Sequence, residues 1–494
     1  MSRTQPVGAP GGEAGAEEGS TGFDRAFWLV FFGTLLVYLV NTNASPLGDS
    51  AAAFPIASSI VSEQNLTLNE FAGAEDFASG GWVERTESGD LVGYFPWAAG
   101  LAAVPIVVAV DLASVVGIGD GAQALIEPMG RAHAVLQSIA GAVWTAIAVA
   151  GVFVLAREHI PRRSVWFAGA VAVVFAFGTS AWSTAAYQLW QHGPSLACTT
   201  WAIVMLQRLE TSSSSDWARR RVIQHGAGLG VLVGLAAIFR PTNFIVVAAV
   251  SIVVAVRYRS LLVPYVLGGS AIAVPWFIAT RLAYGTWLQP YGGSDRLKLH
   301  DEFVEALAAN LFSSGRGIFV FSPIVVVAAI GGFRAVRSMG SATPLQKMSL
   351  VVIVLYWTAI SALPHWTGGH SFGPRLFTDA LPFMVVLALP VLARLPSLHR
   401  GPFRAVAFTV LVVALSAVSV AVHAQSTLVI STRGWNRFPV DVDQDYGRVW
   451  SLDDPMVTAG YRDLLRDPSA SIRGICTRRS SQADLPSSPP AATT

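Results

Sequence analysis

The sequence predicts an all-α polytopic membrane protein with about eleven transmembrane helices, plus juxtamembrane or re-entrant helices on its outer face. Three observations carry this. Of 494 residues, 53% are hydrophobic and 13% charged, with a mean hydropathy of +0.51; a soluble domain carries about twice that share of charge. Apolar runs of spanning length recur between Phe27 and His423. Arginine clusters recur in the short loops between them. The net charge of +2 is spread over those loops, which fits contact with membrane lipids and gives no reason to expect a nucleic-acid partner. Cys198 in an apolar run and Cys476 in a polar stretch offer neither a disulfide framework nor metal-ligand spacing, so no metal or other cofactor is indicated.

Residues 1–22 read as a disordered leader. The first apolar run follows Asp24-Arg25 without a small-residue cleavage site and reads as a retained helix. Arginines in short loops mark the cytoplasmic side. The clusters are Arg157/Arg162/Arg163, Arg208/Arg219/Arg220/Arg221, Arg257/Arg259, Arg334/Arg337/Lys347 and Arg394/Arg400/Arg404. Between residues 45 and 90 the balance reverses, with Glu63, Glu70, Glu75, Asp76, Glu84, Glu87 and Asp90 against Arg85, so this stretch is expected outside. Parity then constrains residues 95–116. An ordinary span there would put the Arg157–Arg163 cluster outside, so the run is read as re-entrant or surface-lying, with Asp90 before it and Asp111 and Asp120 at its far end.

The expected spans are 27–43, 132–156, 165–184, 193–207, 224–239, 243–256, 261–281, 317–333, 348–363, 376–393 and 405–423. This places the N-terminus in the cytoplasm of a plasma-membrane protein and the C-terminus outside. Residues 23–424 form the transmembrane domain, with an outer loop at 45–130. Residues 425–467, which include Trp435, Tyr446, Trp450 and Tyr461, are expected as a small extracytoplasmic cap, and 468–494 as a disordered tail. The segments 226–239 and 244–256 look too short for a core about 30 Å thick, and Pro241 separates them. They read as a half-depth hairpin with Arg240 at its tip beside a cavity.

The outer face gathers an unusual set of groups. Asp49 follows the first span, and Arg131 and His133 open the second. Gln188, Trp190 and His192 lie in YQLWQHGP, Arg316 in SSGRG, and Trp366, His370 and Arg375 in HWTGGHSFGPR. Bases at a non-cytoplasmic membrane edge run against the positive-inside trend and point to function. The bland alternatives are snorkelling for a single arginine and aromatic-belt anchoring for Trp190 and Trp366.

The order of these parts resembles the GT-C superfamily of membrane glycosyltransferases, which take sugars from polyprenyl-phosphate carriers. The resemblance rests on GDS at 48–50, GYFPWAAGLAAVP at 93–105, GRAHAVLQS at 130–138, FRPTN at 239–243, GRGIFVFSP at 315–323 and WTGGHSFGPRLF at 366–377, and it covers most of residues 27–424. It implies a GT-C-like fold, a polyprenyl-phosphate-linked sugar donor and a glycan, lipid or protein acceptor. Asp49 would be the general base, with Arg131, Arg240, Arg316 and Arg375 as candidates for the donor phosphate. The family's aspartate is often followed by glutamate; here Ser50 follows Asp49.

The chemistry fits these residue types independently. A carboxylate activates a poor hydroxyl nucleophile, and arginine forks match phosphate oxygens. Trp190, His192, Trp366 and His370 suit sugar faces and hydroxyls. The main alternative is a flippase or transporter of a lipid-linked glycan, which would use the same cavity without breaking a bond. It is disfavoured by the lack of an internal repeat and by acids that are expected to cluster outside. A structural membrane subunit would need no convergent polar groups.

Overall fold

The computed structural model describes residues 24–40, 48–71, 81–117, 131–160, 165–211, 219–289, 291, 299–395 and 403–468. The expected leader at 1–22 and the tail from 469 lie outside the described residues. Among the described residues each of the eleven expected spans overlaps a helical segment, and seven helices are long and apolar enough to cross a membrane, one of them Ala98–Val115, which is not among the expected spans. The chain is a multi-pass helical membrane protein.

Helix α1 (Arg25–Leu39) begins at Asp24, whose carboxylate accepts from the Phe27 amide at 3.2 Å and caps the first turn. The other oxygen of that carboxylate takes Nη1 of Arg157 at 2.6 Å, from the last turn of a later helix. After α1 come α2 (Ala53–Ser62) and a hairpin of β1 (Val83–Arg85) and β2 (Leu91–Gly93), paired antiparallel with Glu84 opposite Val92. Helix α3 (Ala98–Val115) packs chiefly on α2. Tyr284 Oη donates to the Gly93 carbonyl at 2.8 Å, and the Trp97 indole donates to Thr280 at 2.9 Å. These bonds tie the hairpin and the start of α3 to a later span.

Helix α4 (Arg131–His159) is the axis of the bundle, with Ala142 to Ala156 almost wholly buried against α1, α5 (Val165–Phe177) and α6 (His192–Thr211). The half-depth hairpin is not what the structure shows. Helix α7 (Arg219–Phe239) starts five residues before the expected 224, and its 21 residues give a length of about 30 Å at 1.5 Å per residue. It packs along α9 (Leu262–Tyr284) rather than doubling back on α8 (Phe244–Arg257). The apparent shortness came from the charged Arg219–Arg221 turn, which the helix absorbs. Proline does break the chain as expected: Arg240, just before Pro241, is extended at φ −145°, ψ 112°.

After α10 (Phe303–Phe312), the expected span at 317–333 is split by Pro323 into a short turn, Ile318–Phe321, and α11 (Val326–Arg337). Helix α12 (Pro344–Ser361) opens on a capping box between Thr343 and Gln346. A 3-10 turn, Arg375–Ala380, leads into α13 (Leu381–Leu392), and α14 (Phe403–Leu428) is the last long helix. Beyond it, residues 429–468 fold into 3-10 turns and α15 (Ala459–Arg466). Trp435, Val442, Val449 and Met456 from this segment share a buried cluster with Trp366 and Phe372, so it sits on the loop that carries HWTGGHSFGPR.

Candidate active site

Three loops converge. The first is the turn Gly48–Ser50. Ser50 points inward and is fully buried; its hydroxyl donates to Gln188 Oε1 at 3.0 Å, and Gln137 of α4 donates to its carbonyl at 2.5 Å. Asp49 is thereby turned outward, half-buried. Where the resembled family often has a second acid, this chain has a hydroxyl that anchors the second loop.

That second loop carries Gln188, Trp190, Gln191 and His192. It closes onto α4 because Gly141 has no side chain: a Cβ there would lie 2.4 Å from the Gln188 carbonyl oxygen. Gln188 Oε1 also accepts from the Trp190 indole at 3.1 Å, which fixes the ring.

The third loop ends in Gly373, at φ +64° with the Phe321 ring against its open side. This turn delivers Arg375, whose Nη2 lies 2.9 Å from Asp49 Oδ2 while its guanidinium stacks 4.8 Å from the Trp190 ring. The two charged side chains are 15% and 19% exposed, so the pair is reachable from outside the protein. Arg375 Nε is buried without a hydrogen-bond partner. Tyr291 is hydrogen-bonded to Gln191 and lies within reach of the charges of Asp49, Arg240 and Arg375, with Phe95 5.2 Å from its ring.

Behind this pair is a carboxylate that sequence reasoning missed. Asp379 is completely buried; it accepts from Ser195 Oγ, and its other oxygen lies 3.0 Å from His192 Nδ1 and 3.1 Å from Arg240 Nε. The expectation that the acids cluster outside therefore does not hold for Asp379. The signal was present, as a lone acid entering the apolar run TDALPFM.

The other expected site residues divide. Arg240 and His192 join this inner network. Arg131 is the first residue of α4, and its side chain lies outside the described residues. Arg316 is corrected. Its guanidinium is 1% exposed and donates to the carbonyls of Thr367, Gly315 and Gly369 and to Asn436 Oδ1, the last three at 2.8–2.9 Å. It clasps the loop to the C-terminal segment and leaves no open fork for a phosphate. Trp366 is likewise corrected: it is wholly buried, 5.6 Å from Tyr446, so its faces are closed to a sugar.

His370 pairs instead with Asp441, with Nε2 2.9 Å from Oδ2, and lies 3.8 Å from Asp443. Donor atoms of these three residues lie within 4.8 Å of one another, a set that could hold a metal ion. Arg437 Nε donates to His370 Nδ1 at 3.4 Å. The His370–Asp441 pair clasps the HWTGGHSFGPR loop to the segment after α14. Burial pushes the Asp441 carboxyl up, but bonds from His370 and the Asp443 amide, with the charges of His370 and Arg437, hold it below its usual range.

No protein-family model and no curated protein matches the chain. Among solved structures it is similar to ArnT from Cupriavidus metallidurans in the apo state, at 14% identity and a TM-score of 0.47, over 89% of this chain and 74% of that chain. It is also similar to ArnT from the same organism bound to undecaprenyl phosphate, at 15% identity and a TM-score of 0.44, over 90% and 76%. The overlap is loose at these scores, and the chemistry of the site rests on its own residues.

Proposed function

We propose that the chain is a membrane glycosyltransferase of the GT-C type that moves a sugar from a polyprenyl-phosphate carrier to an acceptor hydroxyl on the extracytoplasmic side, with Asp49 as general base. The observation that carries this reading is the Asp49–Arg375 pair: a partly exposed carboxylate 2.9 Å from a guanidinium that is stacked on Trp190. The acceptor oxygen bonds to the anomeric carbon as its proton passes to Asp49. The bond from that carbon to the phosphate oxygen breaks, and the electron pair leaves on the polyprenyl phosphate. Arg375 meets the charge that develops there. Trp190 holds the Arg375 guanidinium in place, and Tyr291 offers a face for the sugar ring.

The second reading, a flippase for a lipid-linked glycan, gains weight from the buried acid Asp379, since acids inside a helical bundle commonly mark transport pathways. One experiment separates the two. Purified protein in proteoliposomes is given radiolabelled polyprenyl-phosphate sugars of several kinds, and both transfer to acceptors and transbilayer movement are scored. Transfer that falls by ~10²–10⁴-fold in Asp49→Asn, the usual range for general-base help, supports the proposal. Movement without transfer in the unmodified protein supports the flippase.

A further inference from the structure

We infer that Asp379 is a positioning residue that sets Arg240 beside Arg375 for the carrier phosphate, an inference that rests on the donor-site reading above. Asp379 lies four residues after Arg375 on the turn Arg375–Ala380, so one short segment carries two opposite charges. Arg375 reaches outward to Asp49, and Asp379 reaches inward to Arg240. Arg375 stacks on Trp190, whose ring lies 6.3 Å from that of His192, and Arg240 Nη1 lies 2.6 Å from His192 Nε2, which places the two guanidiniums around the same space.

The hydrogen bonds around Asp379 do more than neutralise a charge. His192 Nδ1 lies 3.0 Å from Asp379 Oδ2, and Arg240 Nη1 lies against both ring nitrogens of His192, 2.6 Å from Nε2. The carboxylate and the imidazole together hold the Nε and Nη1 edges of Arg240. Thr242 adds an acceptor to Nε at 2.9 Å. Nη2 of Arg240 makes no hydrogen bond among the described residues, so one edge of the fork is left open. On the far side, Ser195 donates to Asp379 and accepts from Asn243, whose Oδ1 accepts from Tyr356. A buried ion pair alone is weak evidence for stability; a pair held by five further polar side chains is fixed in direction.

The test measures binding of polyprenyl phosphate in detergent, together with thermal melting, for the unmodified protein, Asp379→Asn, Arg240→Gln and the double variant. Asp379→Asn should weaken binding at least tenfold. The double variant has no uncompensated buried charge, so it should recover most of the melting temperature while binding no better than Arg240→Gln alone. Losses that overlap in this way show that Asp379 acts through Arg240. Losses that add, or a double variant that binds like the unmodified protein, overturn the positioning role. If Asp379→Asn does not fold, the double variant compared with Arg240→Gln decides the matter. An unmodified protein that binds no polyprenyl phosphate overturns the donor reading and this role with it, whereas normal binding by Asp379→Asn overturns this role alone.

Discussion

Asp49 and Arg375 are 326 positions apart in the sequence and 2.9 Å apart in the structure, and neither has another charged partner among the described residues. In this arrangement the proposed base and the proposed phosphate-binding group neutralise each other. In the proposed mechanism a carrier phosphate that takes up Arg375 would free Asp49 for the acceptor hydroxyl, linking donor binding to base availability.

Ordered binding follows from that linkage, with donor before acceptor. A dead-end acceptor analogue should inhibit uncompetitively against the donor, and polyprenyl phosphate should compete with the donor. An acceptor analogue that competes with the donor would show that Asp49 is available without phosphate on Arg375.

Replacing Arg375 by alanine should weaken donor use by about 1.5–3 kcal/mol, the range for a charge-assisted bond. Lysine should recover only part of this, because an ammonium supplies charge without the bidentate fork or the stacking on Trp190. Donor KM for the two variants reads the effect directly; values unchanged in both would remove Arg375 from the donor site.

The helices were legible because each apolar run is long and Pro241 marks a break, whereas the break at Pro323 inside the expected span 317–333 was passed over. Asp49, Trp190, His192 and Arg375 were legible as members of one face, but not their pairing, which depends on Gly141 admitting the Gln188 loop. Arg316 and Arg375 look alike in sequence, each a lone base in a glycine-containing loop. What separates them is the set of main-chain carbonyls around Arg316, contributed by residues about fifty positions away, and no local pattern encodes those. Asp379 was passed over because its partners Ser195 and Arg240 come from other segments.

Arg316 should accordingly be a stability residue. Arg316→Met leaves the carbonyls of Thr367 and Gly369 and the Asn436 amide oxygen without their donor, at a cost of about 1–3 kcal/mol for each group left unsatisfied. Melting temperature should fall and the segment after α14 should become protease-sensitive, with donor KM in surviving protein unchanged. Normal melting with a tenfold higher KM would return Arg316 to the phosphate.

The clasp between His370 and Asp441 gives an acid limit. The folded carboxyl of Asp441 titrates below its unfolded value of about 3.9. Its contribution is therefore complete above that value and is lost as pH falls through the lower folded one. Amide-exchange protection of residues 436–445 should drop below about pH 4. In His370→Ala the drop should begin at higher pH, since one cause of the depressed value is gone. An identical profile in the variant would show that the pair contributes nothing.

The last prediction concerns α3. The ion pair of Asp24 with Arg157 puts the start of α1 and the end of α4 on one side of the membrane. The two helices pack together, so the end of α1 and the start of α4 share the other side. Between them the chain must cross an even number of times. Helix α3 is long and apolar enough to cross once. A crossing there needs a return. The ten residues of α2 rise only about 15 Å, and residues 118–130 carry Asp120 and Glu127 within thirteen positions, short of the roughly twenty apolar residues a span requires. Helix α3 should therefore lie on or dip into the outer surface. Cysteines introduced at Asp90 and Val116, before and after α3, should both react with a membrane-impermeant thiol reagent from the same side. Labelling from opposite sides would mean that α3 crosses, that a return lies in 41–52 or 118–130, and that the outer position of the Asp49 turn must be reassigned.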